Sequence, residues 1–366
     1  MLRDYNKKQI EDKNSPEGLV STGNVHAMSG QYEAAAEYFR KALKLKPDCT
    51  SAYYGLACLQ CATGNFEEGE KSFKETLRID ENHPGAHSDL GNLYFCLGRL
   101  DEALVELKRS LELDPGQYLA HYRLGLTYLR LNRDEEAIAE LKTTVGLKPS
   151  YADAYTALGR TYGLLGNLDD AVAAFRRAVA EQPQSAVCHF DLGLALSMKG
   201  DLDSANTEFA EAIRLDPEFP DPHLAMGNNL FTDGKLYEAA FEYREAIRLN
   251  PYLEEPHMKL ALVYEQKGLM GEAVKEYREA LNIQPGMYEA NLSLGRVHMT
   301  LGRYEEAIRE LAAAAEARPD SAIAYLELGK AFTKLGFEKD AKKNFEKAAK
   351  LDPSLKTAIE AAEKRE

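Results

Sequence analysis

Nine of the fourteen prolines in this chain are separated by multiples of 34 residues, from Pro47 to Pro353. Such a fixed interval constrains a fold more tightly than composition does, because each interval must be one structural unit stacked on its neighbours. Stepping by 34 from Pro16 divides the chain into ten repeats without insertion or deletion: 16–49, 50–83, 84–117, 118–151, 152–185, 186–219, 220–253, 254–287, 288–321 and 322–355. The other five prolines, Pro16, Pro84, Pro220, Pro222 and Pro256, fall at the first or third position of a repeat. There a helix has amides with no partner to lose.

Four further columns keep the register. Position 8 is Gly23, Ala57, Gly91, Gly125, Gly159, Gly193, Gly227, Ala261, Gly295 and Gly329, and position 20 is alanine in every repeat except the second, which has Gly69. Residues this small at two fixed places mark the closest approach of two helices. Position 15 is glycine except at Asn132, which suits a helix end in the left-handed conformation, with Asn the next best residue there. Position 24 is large and apolar: Phe39, Phe73, Leu107, Leu141, Phe175, Phe209, Tyr243, Tyr277, Leu311 and Phe345. Large residues facing small ones let two antiparallel helices interlock. Proline at position 32 stops the second helix.

These columns resemble the tetratricopeptide repeat (TPR) family, and the resemblance covers residues 16–355. It departs from the family at position 4. The frequent Trp is missing, the chain has no Trp at all, and His87, His121, His189, His223 and His257 stand there beside Tyr53, Tyr155 and Tyr325. The resemblance implies an all-α fold, a right-handed α-solenoid superhelix of ten helix-turn-helix units with the first helix of each on the inside. Residues 356–366 read as a C-terminal capping helix: Leu355, Ala358, Ile359 and Ala362 form an apolar stripe opposite Lys356, Glu360, Glu363 and Lys364. Residues 1–15 are a polar lead-in without a stripe.

If the first helices line a groove, positions 2, 5, 6, 9, 12 and 13 face it. Position 5 is mostly large and apolar, with Tyr54, Tyr122, Phe190, Leu224, Met258, Leu292 and Leu326. Position 9 supplies Asn24, Asn92 and Asn228, and also Arg160, Arg296 and Lys330. Position 12 adds Phe95, Leu129 and Phe231, and position 13 adds Arg130 and Lys334. Aromatic platforms, amides able to bond a peptide backbone and scattered cations suit an extended or helical peptide. Inward acids, Asp89, Asp153, Asp191, Asp221 and Glu265, can pair with some of the cations, and part of the apolar row can pack between repeats. The family's two-carboxylate clamp for chaperone tails is not matched: its positions hold Val20, Asn24, Gly55, Gly85 and Asp89, of which only Asn24 fits. The asparagine ladder that some members carry at position 6 is also missing.

The formal net charge of −14 argues against a nucleic-acid partner or an anionic membrane surface. No apolar run is long enough to span a bilayer, and the start of the chain is polar. Five scattered cysteines are too few for a disulfide framework. A cytoplasmic protein is expected. Cys58-x-x-Cys61, with Cys96 on the next repeat, is the one feature resembling a redox or metal motif; mid-helix thiols lack the stabilising helix N-terminus, and small residues on a helix face are the plainer account. The position-4 histidines lie a full repeat or more apart and cannot converge on one ion. No catalytic residues, metal site or cofactor are expected. The sequence therefore points to a non-catalytic scaffold or adaptor that binds a peptide segment or partner protein in its concave groove. The alternative is a dedicated recognition or assembly subunit of a larger enzyme or secretion complex. Self-association through an exposed end is also open.

Overall fold

The computed structural model describes residues 14–363, and every regular element among them is helical. The chain falls into two compact halves, divided between Gln182 and Pro183. The first half holds α1 (Pro16–Met28), α2 (Tyr32–Leu45), α3 (Thr50–Ala62), α4 (Phe66–Ile79), α5 (Pro84–Cys96), α6 (Leu100–Leu113), α7 (Tyr118–Arg130), α8 (Asp134–Leu147), α9 (Ala152–Leu164) and α10 (Leu168–Glu181). The second holds α11 (Ala186–Lys199), α12 (Leu202–Leu215), α13 (Pro220–Thr232), α14 (Leu236–Leu249), α15 (Glu254–Gln266), α16 (Met270–Ile283), α17 (Tyr288–Thr300), α18 (Tyr304–Ala317), α19 (Ala322–Lys334), α20 (Glu338–Leu351), a 3-10 turn (Pro353–Leu355) and α21 (Lys356–Glu363). Each repeat is thus a helical hairpin. The lead-in expected over residues 1–15 lies outside the described residues except for its end, where Ser15 caps α1 by accepting the Gly18 amide at 3.0 Å.

The small-residue columns do what close packing requires. A Cβ at Gly193 would sit 2.5 Å from the Phe209 ring, and one at Gly227 would sit 2.6 Å from Tyr243. The position-24 side chains fill this space and are among the most deeply buried in the protein. Gly69 replaces alanine because a Cβ there would meet the Cys61 sulfur at 2.6 Å. A column not read from the sequence, position 27, is equally buried: Ala42, Thr76, Ser110, Thr144, Ala178 and their successors through Ala348 are all fully inaccessible. Between hairpin helices the glycine at position 15 has φ between 72° and 89°, and Asn132 takes the same left-handed place at φ 55°.

Neighbouring repeats are stapled by the position-4 histidines. Each pairs through Nδ1 with a glutamate at position 23 of its own repeat: His87–Glu106, His121–Glu140, His189–Glu208, His223–Glu242 and His257–Glu276, at 2.5–2.7 Å. In three of them Nε2 also faces the position-32 carbonyl of the preceding repeat, Glu81, Pro115 or Pro183, at 3.0–3.3 Å. With an acceptor at each ring nitrogen, both bonds form only when the imidazole carries two protons. The Glu140 hydrogen bond accordingly raises the pKa of His121, against the opposing effect of burial.

Within each half the layer of helices is curved. First helices touch the next first helix (α1 with α3, α3 with α5, α5 with α7, α7 with α9; α11 with α13, α13 with α15, α17 with α19), whereas among the described residues successive second helices make no comparable contact. A double layer held close on one side and apart on the other bends toward the close side. The first helices therefore line the inner face. At the C-terminus, Ile359 of α21 is buried with Phe345 and Leu326, and Leu355 and Ala362 pack beside it; Ala358 of the expected apolar stripe stays exposed.

Candidate functional site

The inner face of the first half carries two adjoining clefts. One, of about 360 Å³, lies between α3 and α5 and is walled by Cys58, Cys61, Ala62, Phe66, Phe73, Leu93 and Cys96, with Asp89 and Asn92 as its polar groups. The other, of about 440 Å³, shares Asp89 and Asn92 and is also lined by Tyr54, Gly85, Ser88, Gln117, Tyr118, Leu119 and Arg123. Residues of repeats 2, 3 and 4 at positions 1, 2, 5, 6, 9 and 12 are thereby brought onto one surface. The 34-residue interval puts equivalent positions in line along the stack.

Tyr54 and Asn92, both expected as ligand contacts, lie in these clefts. The Tyr54 hydroxyl donates to Asp89 Oδ2 at 2.6 Å, and the Cys58 thiol points at the same oxygen at 3.8 Å. Burial and the nearby Asp89 charge raise the Tyr54 pKa. The same two causes push the thiols up, Cys58 to about 12 and Cys61 to about 11. Both are therefore protonated at neutral pH, the opposite of an activated thiolate. Among the described residues no three His, Cys, Asp or Glu side chains are grouped as metal ligands.

The remaining expected contacts are spread along both halves. Phe95 is half-buried, and the exposed Arg130 guanidinium lies 5.2 Å from its ring centre. The position-5 rings commit one side to the protein. Tyr54 lies 4.9 Å from His83, Tyr122 lies 5.0 Å from Tyr151, and Phe190 lies 5.1 Å from Phe219. Each partner is position 34 of the same repeat, so these rings help to seal the joint to the next repeat. Leu292 and Leu326 are buried in the core outright, while Leu224, Phe231 and Met258 pack half-buried against it. Asn228 is engaged by the Tyr243 hydroxyl at 2.9 Å. Arg296 and Lys330 converge on Glu327 at 3.3 and 3.1 Å, so their charge is partly cancelled. Asn24 and Arg160 are exposed on α1 and α9.

Arg123, Gln117 and Tyr118 line the second cleft but were not among the expected contacts. Arg123 stands in the position-6 column, where the only other cation is Lys259, and its signal was its place one repeat after Asp89. The second helices also expose aromatic residues, Tyr237 at 77% and Phe241 at 56%, with the Lys267 ammonium 3.5 Å from the Tyr237 ring centre. No helix among the described residues is long and apolar enough to cross a membrane.

Family models described as "Tetratricopeptide repeat" match residues 26–88, 122–186, 156–221, 224–288, 264–328 and 322–355, and one described as "TPR repeat" matches 91–132. No curated protein matches the chain. Solved structures similar to it include the MamA protein, at 28% identity over 46% of this chain and 92% of that one, with a TM-score of 0.43. Another is YrrB, described as a TPR protein with an unusual peptide-binding site, at 22% identity over 50% of this chain and 95% of that one, with a TM-score of 0.46. With family matches running almost unbroken from residue 26 to 355, the chain belongs to the tetratricopeptide repeat family.

Proposed function

We propose that the protein is a non-catalytic interaction scaffold that takes a peptide segment of a partner along the inner face of its first half. The observation that carries this reading is the pair of adjoining clefts across repeats 2 to 4. They combine apolar walls, the amides of Asn92 and Gln117, and the charges of Asp89 and Arg123, a mixture suited to an extended chain with alternating side chains. Phe95 and Arg130 continue the surface. In the second half, Phe190, Leu224, Asn228, Phe231, Met258, Arg296 and Lys330 are more fully engaged within the protein and are a weaker surface. The scaffold role comes from the family; the inner face as the place of binding comes from the geometry.

The test is to pan a displayed library of random peptides against the full chain. The recovered peptides are then measured against an inner-face variant, Phe95→Glu/Arg123→Glu/Arg130→Glu, and an outer-face variant, Tyr237→Glu/Phe241→Glu. Binding lost only in the inner-face variant supports the reading. Binding lost only in the outer-face variant moves the site to the second helices, and recovery of no specific peptide removes the groove as a binding site.

A further inference from the structure

The cleft between repeats 2 and 3 is walled by apolar and sulfur groups, and two of its acceptors lack full partners. Asp89 Oδ2 receives the Tyr54 hydroxyl and, weakly, the Cys58 thiol. Among the described residues Oδ1 receives no hydrogen bond and no lysine or arginine pairs with the carboxylate. The contrast is Glu327 on the inner face of the second half, which holds two cations. The one basic group facing Asp89 is His83. Its Nδ1 accepts the Ala86 amide at 3.0 Å as the cap of α5. A second acceptor in the same cleft, Asn92 Oδ1, is buried without any hydrogen-bond partner.

A largely buried carboxylate with no lysine or arginine partner and a buried amide oxygen with no donor are both costly arrangements. Burial indeed raises the Asp89 pKa. Both deficits are met by one kind of occupant, a cationic donor on an apolar stem. Phe73, Leu93 and the two thiols can cover methylenes while the charged head reaches Asp89. We propose that this cleft is the subsite for a single lysine or arginine side chain of the bound segment. The chain's net charge of −14 would draw such a segment in. Arg123, which lines the adjoining cleft, selects against a run of basic residues. This inference rests on the inner-face reading above and adds the chemistry that the face selects.

The experiment uses the same library and the full chain. Peptides that depend on the inner face are sequenced, and the best is synthesised with its basic residue intact and with that residue replaced by norleucine. The expected result is a lysine or arginine common to the recovered peptides. Norleucine and Asp89→Asn should each weaken binding about thirtyfold or more, as for other buried charge pairs, and the norleucine peptide should not distinguish Asp89→Asn from the wild type. The norleucine comparison is made on unaltered protein, so it stands even if Asp89→Asn folds poorly. Inner-face peptides without a basic residue, or a norleucine peptide that binds as well as the original, overturn the subsite and leave the groove in place. If no peptide depends on the inner face, the groove reading and this one fall together.

Discussion

His298 is fully inaccessible, and neither ring nitrogen has a hydrogen-bond partner. Its pKa is lowered, first by burial and then by the charge of Arg278, with Glu306 opposing and Arg303 and Arg309 adding lesser effects. The equivalent positions of repeats 6 and 7 are Leu196 and Leu230, so the hairpin accepts leucine there, and leucine is close to histidine in volume. Replacing an unsatisfied buried polar ring with an apolar side chain of similar size should stabilise the protein by about 1–3 kcal/mol. For a half of this size that is a rise of roughly 2–4 °C in Tm per kcal/mol. The gain should also depend on pH. The folded ring stays neutral below the ~6.5 at which the unfolded one titrates, so acidification favours the unfolded state. Wild type should therefore lose up to about 1.4 kcal/mol more at pH 5.5 than at neutral pH relative to His298→Leu. Thermal melts of both proteins by circular dichroism at pH 7.5 and 5.5 give the test, and the other histidines cancel because both proteins carry them. Equal Tm values at pH 7.5, or a difference that does not widen at pH 5.5, would refute the reasoning.

The His121 staple predicts the opposite slope. His121 has a raised pKa, so its contribution is complete below about 6.5 and is lost as pH rises through the folded value; Glu140→Gln should cost about 1 kcal/mol at pH 5.5 and much less at pH 8.5, read as the difference in Tm from wild type. Gly193→Ala should destabilise by about 1–3 kcal/mol because its Cβ meets the Phe209 ring, whereas Asn132→Gly should gain under about 1 kcal/mol by relieving the left-handed backbone; urea unfolding separates the two. The Arg99 hydrogen bond holds Glu70 down to about 2, with Lys74 and Tyr94 helping against the cost of burial. The stability this provides is present above the ordinary glutamate range and lost as pH falls toward 2, so acid titration of Glu70→Gln should lack part of the wild-type loss between pH 4.5 and 2.

The hairpin was legible because its columns answer to local steric rules. A glycine whose Cβ would strike a ring, or a helix end that needs a left-handed residue, permits few alternatives, and the periodic recurrence makes each exception visible. The inner face was harder to read. Tyr54, Tyr122 and Phe190 have the spacing of groove residues, but the same spacing serves the joint between repeats, and only the partner at position 34 distinguishes the two roles. That partner was in the sequence: most large residues at position 5 go with large ones at position 34, as in Leu224 with Leu253 and Met258 with Met287, although Leu292 goes with Ser321. The histidine staples have a similar trace, since every position-4 histidine is accompanied by a position-23 glutamate. What periodicity could not give was the isolation of Asp89, which depends on the absence of a cation in three dimensions.

Among the described residues no helix makes extensive contact beyond the adjoining repeat. Each half therefore passes a disturbance along the chain in single steps, like a row of leaning books, and cannot shortcut across a common centre. A segment lodged at Asp89 presses on repeats 2 and 3 directly and on repeats 1 and 4 at one remove. Farther repeats feel it only as the residue of what those neighbours failed to absorb.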